Sequence, residues 1–448
     1  MWRRIAFNSL ANLSVGVSGM LFQVGMTAIT SHNFEPGLFS IWALAHSMAS
    51  LVPLFSVNLS TIVTLRLMES RPERVVTVMQ SSQRLARRLG ISAVIAIVLA
   101  SFFLQQHSVP LQSMAVGPFL LLVLLLASAQ VWNVLLQPQF GREYARENNW
   151  SVAKVISSAR IGGLMGLWLT CTLFAEQGLV FVAAGLLLGS LGGLLVTGVR
   201  HRTVYSFDTQ AVHNETASMM RLLKAFALWA AVSVAIQYGL PPIMSLLAPG
   251  EFKAFYLAYV LNLVFVGTIG TAGSALLVPL TRKRLSGTTL ALERLLALAP
   301  LAIGLILVLI MLLVWFTLPH ILAMWSSHIA TANEVRRPLF WLALQTISRY
   351  TALVHSILII SAGRPSQIIR PIVLELCITL LLPLPLGWLY GATAFLTSLA
   401  ASGSVTALYT VWTTLNLGIS RKTSRIYLSL AFVSAQALAI VIWILASK

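Results

Sequence analysis

Long apolar stretches without charged residues recur along the whole chain, and they constrain its fold more than any other feature. Fifty-eight per cent of the residues are hydrophobic and only 9% are charged, a composition that excludes a soluble domain. An uncharged run of about 20 residues must form a helix in a bilayer, because no water is present there to satisfy its backbone groups. The sequence therefore predicts an all-α, polytopic membrane protein.

Polar turns divide these stretches into twelve or thirteen predicted transmembrane helices. The turns at Pro36-Gly37 and Pro249-Gly250 carry the strongest helix-breaking residues. The residues at 321–325 follow Pro319 and are expected to form a short interfacial helix, because Trp favours that position. The predicted segments are 7–30, 38–65, 89–108, 114–137, 155–175, 178–199, 225–248, 254–280, 295–318, 338–362, 371–390, 392–417 and 426–446.

The predicted helices group into two halves. We expect an N-terminal six-helix bundle at 1–200, a cytoplasmic linker at 201–224, a C-terminal six-helix bundle at 225–417 and an extra transmembrane helix at 418–448. A shift of 213 residues aligns 39–45 with 252–258, at the second helix of each half. The match predicts bundles related by a pseudo-two-fold axis along the membrane normal, around a central cavity.

Basic residues fall mainly on alternate loops. The chain carries a net charge of +18, and 25 of its 30 Lys and Arg residues lie on one predicted side of the membrane, all except Lys253, Arg336, Arg337, Arg349 and Lys448. The positive-inside rule therefore predicts a cytoplasmic N-terminus. It also argues against a nucleic-acid partner, because these cations are expected to lie beside anionic membrane lipids.

Arg349 is the strongest functional signal, because it lies in the middle of the predicted segment 338–362. A charge at the bilayer centre costs roughly 2.5–3.5 kcal/mol, so it normally faces a wet cavity, a partner or a substrate. A guanidinium binds phosphate with two parallel hydrogen bonds. The alternative is an arginine bonded to backbone carbonyls or to a neighbouring helix. Gln345, four residues earlier, shares the same helix face.

Two further residues of the second half are weaker candidates. His355 lies about 240° around the helix from Arg349, so it can equally face the lumen or pack between helices. Glu375 lies near the predicted inner end of its segment. It is expected to pair with a basic neighbour, and a role in accepting a coupling proton is the alternative.

Arg66 and Arg160 lie at predicted inner helix ends. Snorkelling to the lipid headgroups is the favoured interpretation, although such arginines could also attract a phosphate to a cytoplasmic opening. Uncharged polar residues inside apolar segments, including His46 and Asn262, are expected to make contacts between helices.

Signs of catalysis are absent from the sequence. No phosphate-binding glycine loop, zinc-binding His-Glu pattern or nucleophile elbow occurs, and no loop is long enough for a catalytic domain. Cys171 and Cys377 lie inside apolar runs and are interpreted as buried small hydrophobic residues rather than a disulfide or a metal pair. We therefore expect neither an enzyme nor a cofactor or metal site.

Several short stretches resemble the Wzx-type flippases, which belong to the multidrug/oligosaccharidyl-lipid/polysaccharide exporter superfamily. The resemblance lies in the opening helix from Asn8 to Asn12, the start of the second helix from Phe34 to Trp42, the basic loop after it, and Phe255-Tyr256. It covers the chain as a hydropathy plan.

The resemblance implies a transporter with a cationic cavity in a bacterial inner membrane. Such proteins move undecaprenyl-pyrophosphate-linked oligosaccharide from the cytoplasmic to the periplasmic leaflet by alternating access, alongside the machinery of polysaccharide assembly. Arg349 would meet the pyrophosphate, because an anion crossing a low-dielectric region requires a counter-charge. The alternatives are an ion-coupled small-molecule exporter of the same fold and a membrane-embedded polysaccharide polymerase or glycosyltransferase.

Overall fold

Helices account for all the regular structure in the part of the chain that is described. The computed structural model describes residues 2–56, 59–108, 111, 114–174, 178–197, 209–274, 290–325, 329–361, 367, 370, 373–374, 377–378 and 382–416. All its regular elements are helices, and seven of its helical stretches are long and apolar enough to cross a membrane. The predicted class, an all-α polytopic membrane protein, is confirmed, while the total of twelve or thirteen spans stays a prediction.

The chain forms two compact units. Gly25–Pro249 is the first unit, and Met1–Val24 with Gly250–Lys448 is the second. Helix α1, Trp2–Asn33, contributes residues to both. The first unit contains α2 (Pro36–Ala49), α3 (Leu59–Glu69), α4 (Val75–His107), α5 (Val116–Ala145), α6 (Asn149–Phe174), α7 (Leu179–Val196), α8 (Thr209–Tyr238) and α9 (Leu240–Leu247). The second contains α10 (Phe252–Ser274), α11 (Leu290–Trp325), α12 (Ala332–Ser361), α13 (Pro383–Tyr390) and α14 (Ala392–Asn416). The bundle boundaries at 1–200 and 225–417 stay a prediction.

The second predicted segment, 38–65, is interrupted rather than continuous. The turn before it is as predicted, since α1 ends at Asn33 and α2 begins at Pro36, where a proline loses no helical hydrogen bond. Helix α2 then ends at Ala49, and a 3-10 turn, Val52–Ser56, precedes α3. Pro53 explains the interruption, because it lacks an N–H group and disfavours helical geometry in the residue before it.

Other helices begin earlier or end later than predicted. Helix α4 starts at Val75 rather than 89, and α8 starts at Thr209, inside the predicted linker. Helix α11 continues through Pro319 to Trp325, so the separate interfacial helix at 321–325 was wrong. Leu318 and Leu322 on either side of this proline are buried, and their packing holds the turn that the proline would otherwise weaken. The predicted segment 426–446 lies outside the described residues.

Glycines line the contact between α6 and α7. A Cβ atom added at Gly162, Gly166, Gly185, Gly189 or Gly193 would collide with the facing helix, in each case with its backbone. These five residues form the glycine seam. Small residues at four-residue spacing are the usual means by which membrane helices bring their backbones together. The seam therefore fixes how α6 and α7 pack.

Candidate functional site

Helix α12 places Arg349 near its middle. The helix starts with a capping box, in which the Thr331 N–H and hydroxyl donate to Glu334 Oε2 at 2.7 and 2.9 Å. These bonds lower the pKa of Glu334, so the cap is retained at neutral pH and lost as acid protonates the carboxylate. Arg349 lies 15 residues further along, about 22 Å from Glu334 by helix rise. Its side chain is half-buried.

Polar side chains beside Arg349 link α12 to its neighbours α10 and α14. The Thr346 hydroxyl donates to Asn262 Oδ1 of α10 at 3.0 Å. The Ser348 and Ser404 hydroxyl oxygens, from α12 and α14, lie 3.1 Å apart. With Gln345, which is 96% buried, these residues form the polar layer. The prediction that Asn262 joins helices is confirmed.

Gln345 is held by close packing with α14. A Cβ atom at Gly403 would come within 2.9 Å of Gln345 Cγ. Because Gly403 has no side chain, the Gln345 side chain can occupy this space. Gln345 lies one helical turn before Arg349. The polar layer and Arg349 thus lie at one level of the three packed helices.

The electrostatics of these three helices favour an anion. Helices α10 and α14 contain no acidic residue, and α12 contains only Glu334 at its start. Lys253, Arg336 and Arg337 add positive charge at the starts of α10 and α12. Because these positive charges make the electrostatic potential more positive, a negatively charged group is favoured along this part of the second unit.

The loss of one bond in the polar layer should be measurable. We expect Thr346→Val to destabilise the purified protein by about 0.6 kcal/mol, the average for a hydrogen bond between membrane helices. Thr397→Val is the matched control, because among the described residues Thr397 donates only to carbonyls of its own helix, at Thr393 and Ala394. Thermal unfolding followed by tryptophan fluorescence compares the two. Equal destabilisation by both variants would contradict a specific contribution from the bond between helices.

The remaining predicted site residues lie elsewhere or are not described. Arg66 and Arg160 belong to the first unit, whereas Gln345 and Arg349 belong to the second, so their joint action on a substrate stays a prediction. The side chain of His355 and the whole of Glu375 lie outside the described residues. Arg160 is half-buried on α6.

Arg66 takes part in a contact between α3 and α8. Its Nε lies 3.6 Å from Glu215 Oε1, and its Nη2 donates to the Ser218 hydroxyl. Glu215 and Ser218 fall in the predicted linker, where no contact with Arg66 was predicted. The contact gives Arg66 a structural role, while its predicted role in substrate binding stays a prediction.

Helix α2 carries buried hydrogen-bonding groups at a position where no site was predicted. Trp42 and His46 are almost fully buried, and the Trp42 Nε1 and His46 Nε2 atoms have no hydrogen-bond partner among the described residues. One helical turn separates them, so both face the same side of α2. The four-residue spacing of Trp42 and His46 is the sequence signal for this pair, whereas His46 alone predicts only a contact between helices.

The cysteines differ from each other. Cys171 is buried as predicted, whereas Cys377 is exposed, so its predicted burial was wrong. The difference arises because apolar sequence marks lipid-facing and core positions alike. No group of His, Cys, Asp and Glu that could hold a metal ion occurs in the part of the chain that the structure covers.

Comparison with known proteins identifies the fold. No family model matches the chain, and no curated protein matches its sequence. A crystal structure of a mutant of the Vibrio cholerae MATE transporter VcmN superposes with a TM-score of 0.68 at 12% identity, covering 94% of this chain and 98% of that one.

Two other solved structures give the same result. A MATE protein in its straight conformation superposes with a TM-score of 0.69 at 13% identity, covering 93% of this chain and 96% of that one. The inward-facing conformation of a multidrug resistance MATE family transporter of the MOP superfamily gives 0.63 at 13% identity, covering 92% and 98%. The chain therefore has the fold of these MATE proteins.

Proposed function

We propose that this protein is an alternating-access flippase for lipid-linked oligosaccharide. It moves undecaprenyl-pyrophosphate-linked oligosaccharide from the cytoplasmic to the periplasmic leaflet of a bacterial inner membrane, with its N-terminus in the cytoplasm. The observation that carries the proposal is the half-buried Arg349 beside the polar layer, on three helices whose only acidic residue lies about 22 Å away.

A pyrophosphate group matches this arrangement chemically. Its oxygens are arranged so that one guanidinium can donate two parallel hydrogen bonds. A divalent anion would otherwise lose its hydration without compensation on crossing the membrane. Gln345, one turn away, adds an amide that can donate to a phosphate or to a sugar hydroxyl. The polar layer holds the helix that presents both side chains.

The other predicted residues have subsidiary roles in this proposal. Arg160 raises the positive potential at the cytoplasmic opening, and Arg66 adds less to it because Glu215 offsets part of its charge. His355 contacts the substrate, and Glu375 accepts a proton that couples transport to the proton gradient. The protein acts as a transporter without catalysis and hands its cargo to the machinery of polysaccharide assembly.

A small-molecule exporter of the same fold is the second candidate. The specific observation in its favour is the similarity to a multidrug resistance transporter. A mid-helix arginine on helices poor in carboxylates disfavours cationic drugs, because like charges repel. An exporter of anionic or neutral small molecules is compatible with these helices.

Transport assays with the purified, reconstituted protein distinguish the flippase from the small-molecule exporter. In proteoliposomes, we expect the protein to expose a fluorescent pyrophosphate-linked oligosaccharide lipid to an external quencher or glycosidase, because the positive charge of Arg349 attracts the anionic linker as it crosses. Neither ethidium, a cationic drug probe, nor calcein, an anionic small-molecule probe, should be transported. Efflux of either probe without movement of the lipid would replace the flippase by the exporter.

A further inference from the structure

Helix α4 has one apolar side that protein does not cover. Ile91, Ile95, Leu99 and Phe103 are exposed by 65, 56, 65 and 63% and recur every four residues. The opposite side, which includes Ala93, is buried. A regular apolar stripe of this kind on a membrane-spanning helix faces the lipid acyl chains. We call these four residues the lipid stripe.

Three arginines continue the lipid stripe towards the start of α4. Arg84, Arg87 and Arg88 are all exposed. With 100° of rotation per residue, they lie within about 60° of the mean direction of Ile91 and Ile95. Arg88 precedes Ile91 by about 4.5 Å along the axis, and Arg84 precedes it by about 10 Å. The guanidinium groups therefore lie at the depth where the hydrocarbon gives way to headgroups.

Nothing in the described protein neutralises this charge. Helix α4 contains no Asp or Glu in its 33 residues. None of the three guanidinium groups forms a hydrogen bond or an ion pair with another described residue. The buried side of α4 is meanwhile fixed, because the Ser81 hydroxyl donates to the Val212 carbonyl of α8 at 3.0 Å. The helix is held so that the arginines face outwards.

We propose that Arg84, Arg87 and Arg88 form a binding site for the phosphate of an anionic phospholipid. The headgroup phosphate accepts hydrogen bonds from the three guanidinium groups, and the acyl chains lie along the lipid stripe. Charge complementarity identifies the occupant, since the site combines three cations with an adjoining apolar surface. The site lies on the outer wall of the first unit and does not depend on the transported substrate.

Lipid binding by purified full-length protein tests the proposal. The detergent-solubilised protein is titrated with phosphatidylglycerol or phosphatidylcholine, and bound lipids are counted by native mass spectrometry. We expect R84Q/R87Q/R88Q to weaken phosphatidylglycerol binding roughly a hundredfold, because each arginine near an anionic surface contributes about fivefold. Phosphatidylcholine binding should remain unchanged. The single variants Arg84→Gln and Arg88→Gln should each lose about fivefold, which keeps the test open if the triple variant fails to fold.

A matched control removes the same charge elsewhere. Arg71, Arg74 and Lys154 are exposed and lie outside α4, so R71Q/R74Q/K154Q should retain phosphatidylglycerol binding within about threefold of the wild type, less than one arginine contributes at such a surface. Equal losses in both triple variants would mean that only net charge matters, and would overturn the site. Unchanged binding in the α4 variants, or full displacement of the lipid by inorganic phosphate, would overturn it as well.

Discussion

Gly189→Ala is expected to destabilise the protein strongly, whereas Gly192→Ala, three residues away on the same helix, has little effect. A Cβ atom at Gly189 would collide with the backbone carbonyl of Gly162 across the glycine seam. A carbonyl cannot rotate away as a flexible side chain can, so α6 and α7 must separate. We expect a loss of about 3 kcal/mol or more, at the upper end of the cost of overpacking.

Gly192 provides the control because an added Cβ atom there meets no other atom within 4 Å. Alanine is the better helix former by up to about 1 kcal/mol, so Gly192→Ala should be neutral or slightly stabilising. Size-exclusion chromatography of heated, detergent-solubilised samples measures the midpoint of unfolding. Similar midpoints for the two variants would show that the helices do not depend on the seam.

Arg349→Ala is expected to abolish transport while the protein still inserts and folds. In the proposed complex, the loss of the guanidinium leaves the pyrophosphate without its counter-charge in a low-dielectric region, at a cost of about 3–5 kcal/mol. This corresponds to a decrease in transport of about 100-fold or more. Arg349→Lys should retain part of the activity, because the charge remains but the two-pronged hydrogen bonding is lost. Flipping of the fluorescent oligosaccharide lipid in proteoliposomes provides the measurement.

The control for Arg349 lies on the same helix. Arg337 is exposed near the start of α12, about 18 Å along the helix axis from Arg349. Arg337→Ala removes an equal charge but should lower transport by no more than about fivefold, because one exposed charge contributes only about 1 kcal/mol. The thermal stability of each variant distinguishes lost function from lost structure. Wild-type flipping by a correctly folded Arg349→Ala protein would exclude Arg349 from the mechanism and would remove the main support for the flippase proposal.

The candidate site was predicted in part. The position of Arg349 within a helix follows from the apolar residues on either side of it, and Gln345 follows from the four-residue spacing. The bonds from Thr346 to Asn262 and between Ser348 and Ser404 join residues 84 and 56 positions apart. No local pattern specifies such partners, because many other Ser, Thr and Asn residues occur in these helices.

Charge patterns were less informative about Arg66 than about Arg349. Arg66 was interpreted from its place at the end of a hydrophobic segment, but its closest acidic partner, Glu215, lies in a stretch that was predicted to be a linker. Helix α8 starts earlier than its apolar residues suggest, because tertiary contacts with α3 and α4 stabilise its polar beginning. The start of α8 therefore depends on packing between helices, and the hydropathy of the sequence could not predict it.

The sequence alone determined that this protein is a bundle of membrane-spanning helices, because uncharged apolar runs leave the backbone no other way to satisfy its hydrogen bonds in lipid. It also determined the turn at Pro36-Gly37 and the presence of a cation inside a span. Only the tertiary structure decided the early start of α8, the close approach of α6 and α7, and the outward orientation of the α4 face that carries three arginines and the lipid stripe. Those features depend on which side of each helix meets a neighbour, and that is settled by packing between distant parts of the chain.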